Sequence, residues 1–229
     1  MEESNWLNEC ERYIGFVDIM GFKDLVARSS HSDVYGLLLF LTTNKNLIEG
    51  LEGMYINEGI IDSTDRVASV TFSDSIIFIT KGNEFEDLVC LVKVLKLFHL
   101  TAVEKKIPIK GAISHGLFTA NFEQSIFFGQ PLIDACLLHD QLYYYGIITD
   151  NNTDKKIEAF KKSDSHRMDE IDLFWGLSPL KSGSVFHHNV NLASHPENEL
   201  KNLYNSVSGI VRKYVDNTLS MFNEMRSKK

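Results

Sequence analysis

The stretch Tyr13-Ile-Gly-Phe-Val-Asp-Ile-Met-Gly-Phe22 constrains this chain more than any other. Residues 13–17 are apolar or aromatic apart from Gly15, the pattern of a strand covered on at least one face. The strand spans about 12–18 and ends in one carboxylate, Asp18. Gly21 then permits a tight turn, and residues 23–28 have the composition of a helix that begins near Phe22. Such a corner suits a cation on the acid and an anion on the free backbone N–H groups of the helix start. An acid in a strand–glycine–helix turn is also often merely solvated, so a second feature has to decide.

Residues 66–80 supply it. Arg66-Val-Ala-Ser-Val-Thr-Phe-Ser-Asp-Ser-Ile-Ile-Phe-Ile-Thr80 is a pair of β-rich runs flanking Ser73-Asp74, a hairpin with an acid at its tip. When such a hairpin pairs beside the first strand, Asp18 and Asp74 converge on one edge of the sheet. Two carboxylates so placed suit a pair of divalent ions, roughly 3.5–4 Å apart, of the kind used in phosphoryl chemistry.

The rest of the chain fills in a sheet and its helices. Residues 32–51 carry Val34, Leu37, Leu38, Leu41, Leu47, Ile48 and Leu51 at mostly helical spacing, with Ser32 or Asp33 as the N-cap. Residues 52–65 show no period and are expected to form a mobile loop. Residues 84–105 form an amphipathic helix with Leu88, Leu91, Val92, Leu95, Phe98 and Val103 as its buried stripe. Pro108 stops it, residues 109–115 make a strand, and Gly116 is expected to break that strand before a short one at 117–120. Pro131 opens a helix to about Gln141. Strands are expected at 143–149 and 184–192, with a polar surface helix or arm at 150–170, and residues 173–180 lead into Lys181-Ser-Gly183 before the last strand. A terminal helix after Pro196 takes Leu200, Leu203, Val207, Ile210, Val211, Val215 and Leu219. This order predicts an α+β fold with a ferredoxin-like sheet and helices mostly on one face.

Bulk properties narrow the partners. A chain of 229 residues is long enough for one domain with a substantial core, with or without appendages. A net charge of −8 argues against a nucleic-acid footprint, although a nucleotide can still be neutralised by metal ions and one or two basic side chains. The apolar run at 37–41 is too short to span a bilayer, and the acidic first residues lack a secretory h-region. Cys10, Cys90 and Cys136 are widely spaced, which fits free thiols in the cytoplasm better than zinc ligands. His187 and His188 are neighbours on a strand and should point to opposite faces, so they are not expected to share a ligand.

Five segments follow one another over about 13–192: Phe16-Val-Asp-Ile-Met-Gly-Phe22, Phe72-Ser-Asp-Ser-Ile76, Lys110-Gly-Ala-Ile-Ser-His-Gly116, Phe128-Gly129 through Ala135, and Lys181-Ser-Gly183. In this order they resemble the class III nucleotidyl cyclases, and their wording is most similar to the pyrimidine cyclases of the Pycsar anti-phage systems. The resemblance implies a ferredoxin-like cyclase sheet with covering helices and a C-terminal helix. It implies a catalytic domain over 1–194, with its core at about 12–192 and a dimerisation arm at about 150–183, followed by a helical extension over 195–229.

It further implies that Asp18, Asp74 and the Ile19 carbonyl hold two Mn2+ or Mg2+ ions. Phe22, Lys23, Arg66 and Lys181 would then contact a nucleoside triphosphate at the interface of a cytoplasmic homodimer. The expected reaction converts UTP to 3′,5′-cyclic UMP, which acts on a separate effector; CTP is the alternative pyrimidine. In purine-specific relatives a base-reading lysine falls at Ala68, and an asparagine and an arginine fall at Ile133 and Leu137. Those departures leave two other readings open: a purine cyclase with different base contacts, and a catalytically silent module that binds a nucleotide or a partner.

Overall fold

A computed structural model describes residues 6–42 and 66–228. The expected helical positions Leu47, Ile48 and Leu51 and the expected loop at 52–65 lie outside the described residues. The strands are β1 (Glu9–Ile19), β2 (Val67–Phe72), β3 (Ser75–Thr80), β4 (Ile109–Asn121), β5 (Ile126–Phe128), β6 (Ile147–Thr149), β7 (Leu173–Leu180) and β8 (Gly183–Val190). The helices are α1 (Phe22–Arg28), α2 (His31–Thr42), α3 (Phe85–Glu104), α4 (Gln130–Gln141), α5 (Asn151–Ser163), α6 (Glu197–Asn202) and α7 (Arg212–Ser227), with short 3-10 turns at Ser165–Glu170, Leu203–Asn205 and Gly209–Val211. The strands form one mixed sheet in the order β2-β3-β1-β4-β6-β8-β7, with β5 paired to β4. This is an α+β fold.

Period-2 alternation assigns the two faces of β1. Tyr13, Val17 and Ile19 pack with Ile76, Phe78, Ile109 and Ile113 beneath the apolar stripe of α3, including Leu88, Leu91, Leu95 and Phe98. Gly15 lies on that face, and a Cβ there would meet Leu95 Cδ1 at 3.0 Å, so its lack of a side chain lets α3 lie close. The opposite face carries Ile14 and Phe16, and α4 covers part of it through Ala135, Leu132 and Leu138. Helices thus lie on both faces, where the sequence reading placed them mostly on one. The cause is the small pair Ala112 and Ala135, which lets α4 settle on the second face.

Other boundaries also differ. Ser30 caps α2, its Oγ accepting the Asp33 N–H at 3.1 Å, in place of Ser32 or Asp33. Gly116 does not break β4, because it stays in register opposite Arg12 on β1. Residues 143–145 are not a strand: the Tyr143 N–H donates to Pro179 and the Tyr145 N–H to Thr218 Oγ1 on α7. The expected single terminal helix is interrupted between α6 and α7, where Gly209 takes φ 59° and Ile210 is exposed. The polar surface helix or arm expected at 150–170 is present as the helix α5, mostly exposed and with only Thr153 and Ile157 buried. His187 and His188 do meet one group after all: their Nδ1 atoms lie 3.6 and 2.7 Å from the two oxygens of Asp154 on α5. β6 pairs with β8 only at Ile148 and Asn189, which leaves that edge of β8 open to the carboxylate.

Candidate metal and nucleotide site

The last residues of β1 lie between two strands that both supply polar groups. Asp18 is opposite Ser75 on β3 and opposite Lys110 on β4. Cross-strand partners share a face, so all three side chains rise on the face that α4 covers in part. The β2–β3 turn closes through Ser73 at φ 57°, a left-handed residue that directs the chain back so that the Asp74 carbonyl accepts the Ile19 N–H at 2.9 Å. N–H and C=O of one strand residue point to the same side, so the Ile19 carbonyl also faces this turn. Asp18, Asp74 and Ile19 are therefore brought together at one corner of the sheet, across a gap that the sequence alone does not close.

Electrostatics mark Asp18. Its side chain is 22% exposed, and its Oδ1 accepts from Ser75 Oγ at 3.4 Å. Burial first, and then the negative charge of Asp74, push its carboxyl up to about 6, while Lys110 and the Ser75 hydrogen bond oppose the rise. Two acids that repel each other in a partly dry corner leave a place for positive charge. The donors on offer are all oxygen, two carboxylates and a carbonyl, and such a set fits hard divalent ions of the Mg2+ or Mn2+ type. Among the described residues no group of three or more His, Cys, Asp and Glu side chains forms a closed protein cage. An open site of this sort leaves coordination positions for water or phosphate oxygens.

Sequence reasoning missed three neighbours. Lys110 is 2% exposed, and burial followed by the nearby Lys181 charge lowers its pKa, with Asp140 and Asp18 pulling the other way. His139 on α4 places Nε2 4.0 Å from Asp18 Oδ2, and its ring lies tilted against Phe16 with centroids 4.7 Å apart. Its Nδ1 hydrogen-bonds the Cys136 carbonyl at 2.5 Å, and a carbonyl only accepts, so Nδ1 carries the proton and the neutral ring turns a lone pair toward Asp18. Burial lowers the pKa of His139, which favours that neutral form. Asp140 binds Lys181 Nζ at 3.0 Å, and this hydrogen bond holds the carboxyl below its ordinary range. A signal for Lys110 did exist: it begins an apolar strand, where a lone lysine calls for an anionic partner.

The remaining expected contacts divide. Phe22 and Lys23 follow the Gly21 turn, which takes φ 75° and offers the start of α1 no side-chain cap. Phe22 packs partly against the core, while Lys23 points to solvent. Lys181 reaches the Asp18 corner by way of Asp140, and its N–H donates to the Gln141 carbonyl at 2.7 Å. Arg66 does not join them. Its guanidinium donates to Asp87 Oδ1 at 2.9 Å, and the other oxygen of Asp87 takes the Glu84 N–H at 3.0 Å. Arg66 thus fixes the start of α3 from the end of β2 remote from Asp74, roughly 20 Å along a six-residue strand at about 3.3 Å per residue.

Comparison with known proteins gives a structural likeness only. No protein-family model matches the chain, and no curated protein matches it. Among solved structures, the catalytic core of a rhodopsin-guanylyl cyclase with converted specificity, in complex with ATPαS, is similar over 79% of this chain and 95% of that one, at 17% identity and a TM-score of 0.47. A class III adenylyl cyclase-like ATP-binding protein from Pseudomonas aeruginosa is similar over 96% of this chain, at 15% identity and a TM-score of 0.38. The present chain spans 43% of that second protein. At these values the likeness assigns neither residues nor activity. The case for a function rests on the corner formed by Asp18, Ile19 and Asp74.

Proposed function

We propose that the protein is a nucleotidyl cyclase that converts UTP to 3′,5′-cyclic UMP and pyrophosphate, working as a homodimer whose product acts on a separate effector in anti-phage defence. The observation that carries the reading is the meeting of Asp18, the Ile19 carbonyl and Asp74 at the junction of β1 with the β2–β3 turn. These groups would hold two Mn2+ or Mg2+ ions, which when bound lower the pKa of a hydroxyl and neutralise a leaving pyrophosphate. In the reaction the ribose 3′-oxygen forms a bond to the α-phosphorus while the bond from that phosphorus to the β-phosphate bridging oxygen breaks. The hydroxyl proton is released.

The chain's own part is to hold charges in place. Asp18 and Asp74 supply the anionic corner, Lys110 and Lys181 set positive charge beside it, and the uncapped turn at Phe22 offers backbone N–H groups to phosphate. Ala68, where a purine-specific relative would have its base-reading lysine, supports a pyrimidine. Phe72, 79% exposed, stands at the end of the hairpin strand, an apolar surface for a second copy to cover.

One observation favours a second reading, a silent module that binds nucleotide without turnover. Ile133 and Leu137 occupy the exposed side of α4, at 54% and 64% exposure, where the resemblance calls for an asparagine and an arginine. Incubating the purified protein with each of the four nucleoside triphosphates and Mn2+, and analysing products by mass spectrometry, separates the cases. Cyclic UMP lost in Asp74→Ala is expected; cyclic CMP would change the substrate only. Metal-dependent binding without product would establish the silent module. No product and no effect of Asp74→Ala on binding would refute both.

A further inference from the structure

Beside the Asp18 corner, walled by Ile19 and the Met20-Gly21 turn, lie two cavities of about 340 and 360 Å³. They share Met20, Gly21, Asp24, Arg28, Pro108 and Ser206 in their walls, so they are lobes of one cleft. Its sides are α1, the loop between α3 and β4, and the broken stretch of chain between α6 and α7. That volume lies in the range of small-molecule sites, about 300–1,000 Å³.

Three properties give the cleft a chemistry. Arg28, Lys105 and Lys106 line it against one acid, Asp24, a basic surface on a chain whose net charge is −8. Lys105 is engaged over the Phe40 ring at 4.9 Å, but among the described residues neither the Arg28 guanidinium nor the Lys106 ammonium has an ion-pair or hydrogen-bond partner. Lys106 is held at φ 60° while its carbonyl accepts the Ser206 hydroxyl at 2.6 Å, which ties the loop to the C-terminal extension. Tyr145 forms part of the wall, is 1% exposed, and buries its hydroxyl with no hydrogen-bond partner. A buried hydroxyl without a partner is costly, and a ligand whose entry opened this wall would satisfy it.

We propose that this cleft binds a small organic anion, a phosphate monoester or carboxylate on an aromatic or aliphatic body. The anion meets Arg28 and Lys106, the body lies on Met20, Pro108 and Val207, and a polar atom of the ligand accepts from Tyr145 Oη. Ile19, whose carbonyl is a proposed metal ligand, also lines the cleft, but none of the contacts to the anion or its body comes from a residue proposed to hold metal or phosphate, so the site does not depend on the cyclase reading.

Titration calorimetry of the full chain with phenyl phosphate, in EDTA without divalent metal, tests it. Saturable binding is expected, and it should stay within about twofold in the double variant Asp18→Asn/Asp74→Asn. The double variant Arg28→Gln/Lys106→Gln should bind at least about tenfold more weakly, as two charge-assisted hydrogen bonds are lost. Tyr145→Phe, which removes a hydroxyl that has no partner in the free protein, should fold with unchanged or higher Tm and still bind about three- to tenfold more weakly. Absence of saturable binding by the natural chain overturns the proposal, as does equal affinity in Arg28→Gln/Lys106→Gln. Loss of binding in Asp18→Asn/Asp74→Asn assigns the anion to the other site and overturns it too. Unchanged affinity in Tyr145→Phe overturns the placement of the ligand against that hydroxyl.

Discussion

Replacing Asp18 by asparagine should stabilise the metal-free protein. The ordinary carboxyl pKa of 3.8 is raised to about 6 in the folded chain, chiefly by burial and then by Asp74. The folded state therefore holds this proton more tightly than the unfolded state. As pH falls from 6 to 3.8 this group adds stability, and above pH 6 the folded state carries the full penalty of an ionised, half-buried acid. A shift of about two units corresponds to roughly 3 kcal/mol at 1.36 kcal/mol per unit, and relaxation of the partly exposed corner reduces it to about 1–3 kcal/mol. Asparagine removes the charge and keeps an oxygen for the Ser75 hydroxyl. At pH 8 in EDTA, Asp18→Asn should raise Tm by several degrees, at about 2–4 °C per kcal/mol for a chain of this size. The gain should shrink steadily toward pH 4. Added Mn2+ should reverse the order, since a cation that binds the folded carboxylates stabilises the natural chain by mass action and the variant far less. A variant less stable at pH 8 without metal, or a gain that persists unchanged at pH 4, would refute the account of this corner.

A second titration belongs to a pair of buried histidines, one on α3 and one after β8. His99 Nε2 lies 3.3 Å from the Tyr145 carbonyl, so it carries the proton, and His99 Nδ1 must accept from His195 Nε2 at 3.1 Å. His195 Nδ1 is left buried without a partner, and burial pulls the two rings down to about 4 and about 2. Stability from this pair is complete above pH 6.5 and is lost as pH falls from 6.5 toward 4, so His195→Asn should flatten the acid limb of a urea-denaturation series. Arg66→Met should lower stability by about 1 kcal/mol, discounted for its partial exposure, by releasing Asp87 at the start of α3. Mn2+-dependent nucleotide binding should be unchanged in that variant, which equilibrium dialysis would check.

Sequence reading recovered the elements whose signals are local. β1, the β2–β3 hairpin and α3 each have a strong period and a glycine, proline or polar residue at the boundary, and their limits fall within a few residues of those expected. It failed where distant groups decide. The tyrosines at 143–145 have β-forming composition, yet their N–H groups go to Pro179 and Thr218, so no ladder forms there. The apolar spacing after Pro196 continues across Ser206 to Gly209 without showing that Gly209 turns left-handed. The positions of Asp18 and Asp74 were legible because one lies at the end of a strongly patterned strand and the other in a hairpin turn. Lys110, His139 and Asp140 were not, because they reach the corner through the pairing of β4 with β1 and the seat of α4. Arg66 was misplaced for a related reason: strand parity fixes a face, but a long side chain beyond the strand end follows its ion-pair partner.

The two acids differ in their support. β1 is hydrogen-bonded on both sides, to β3 and to β4, whereas β2 stands at one end of the strand order. Asp18 closes the β1–β3 ladder opposite Ser75 yet is braced by a strand on either edge, whereas Asp74 rides on a turn whose outer strand, among the described residues, is paired along one edge only. The spacing of the pair is consequently an adjustable quantity, governed by small motions of the turn against a fixed strand. A cation bridging them would act as a clasp that fastens the outer hairpin to the centre of the sheet.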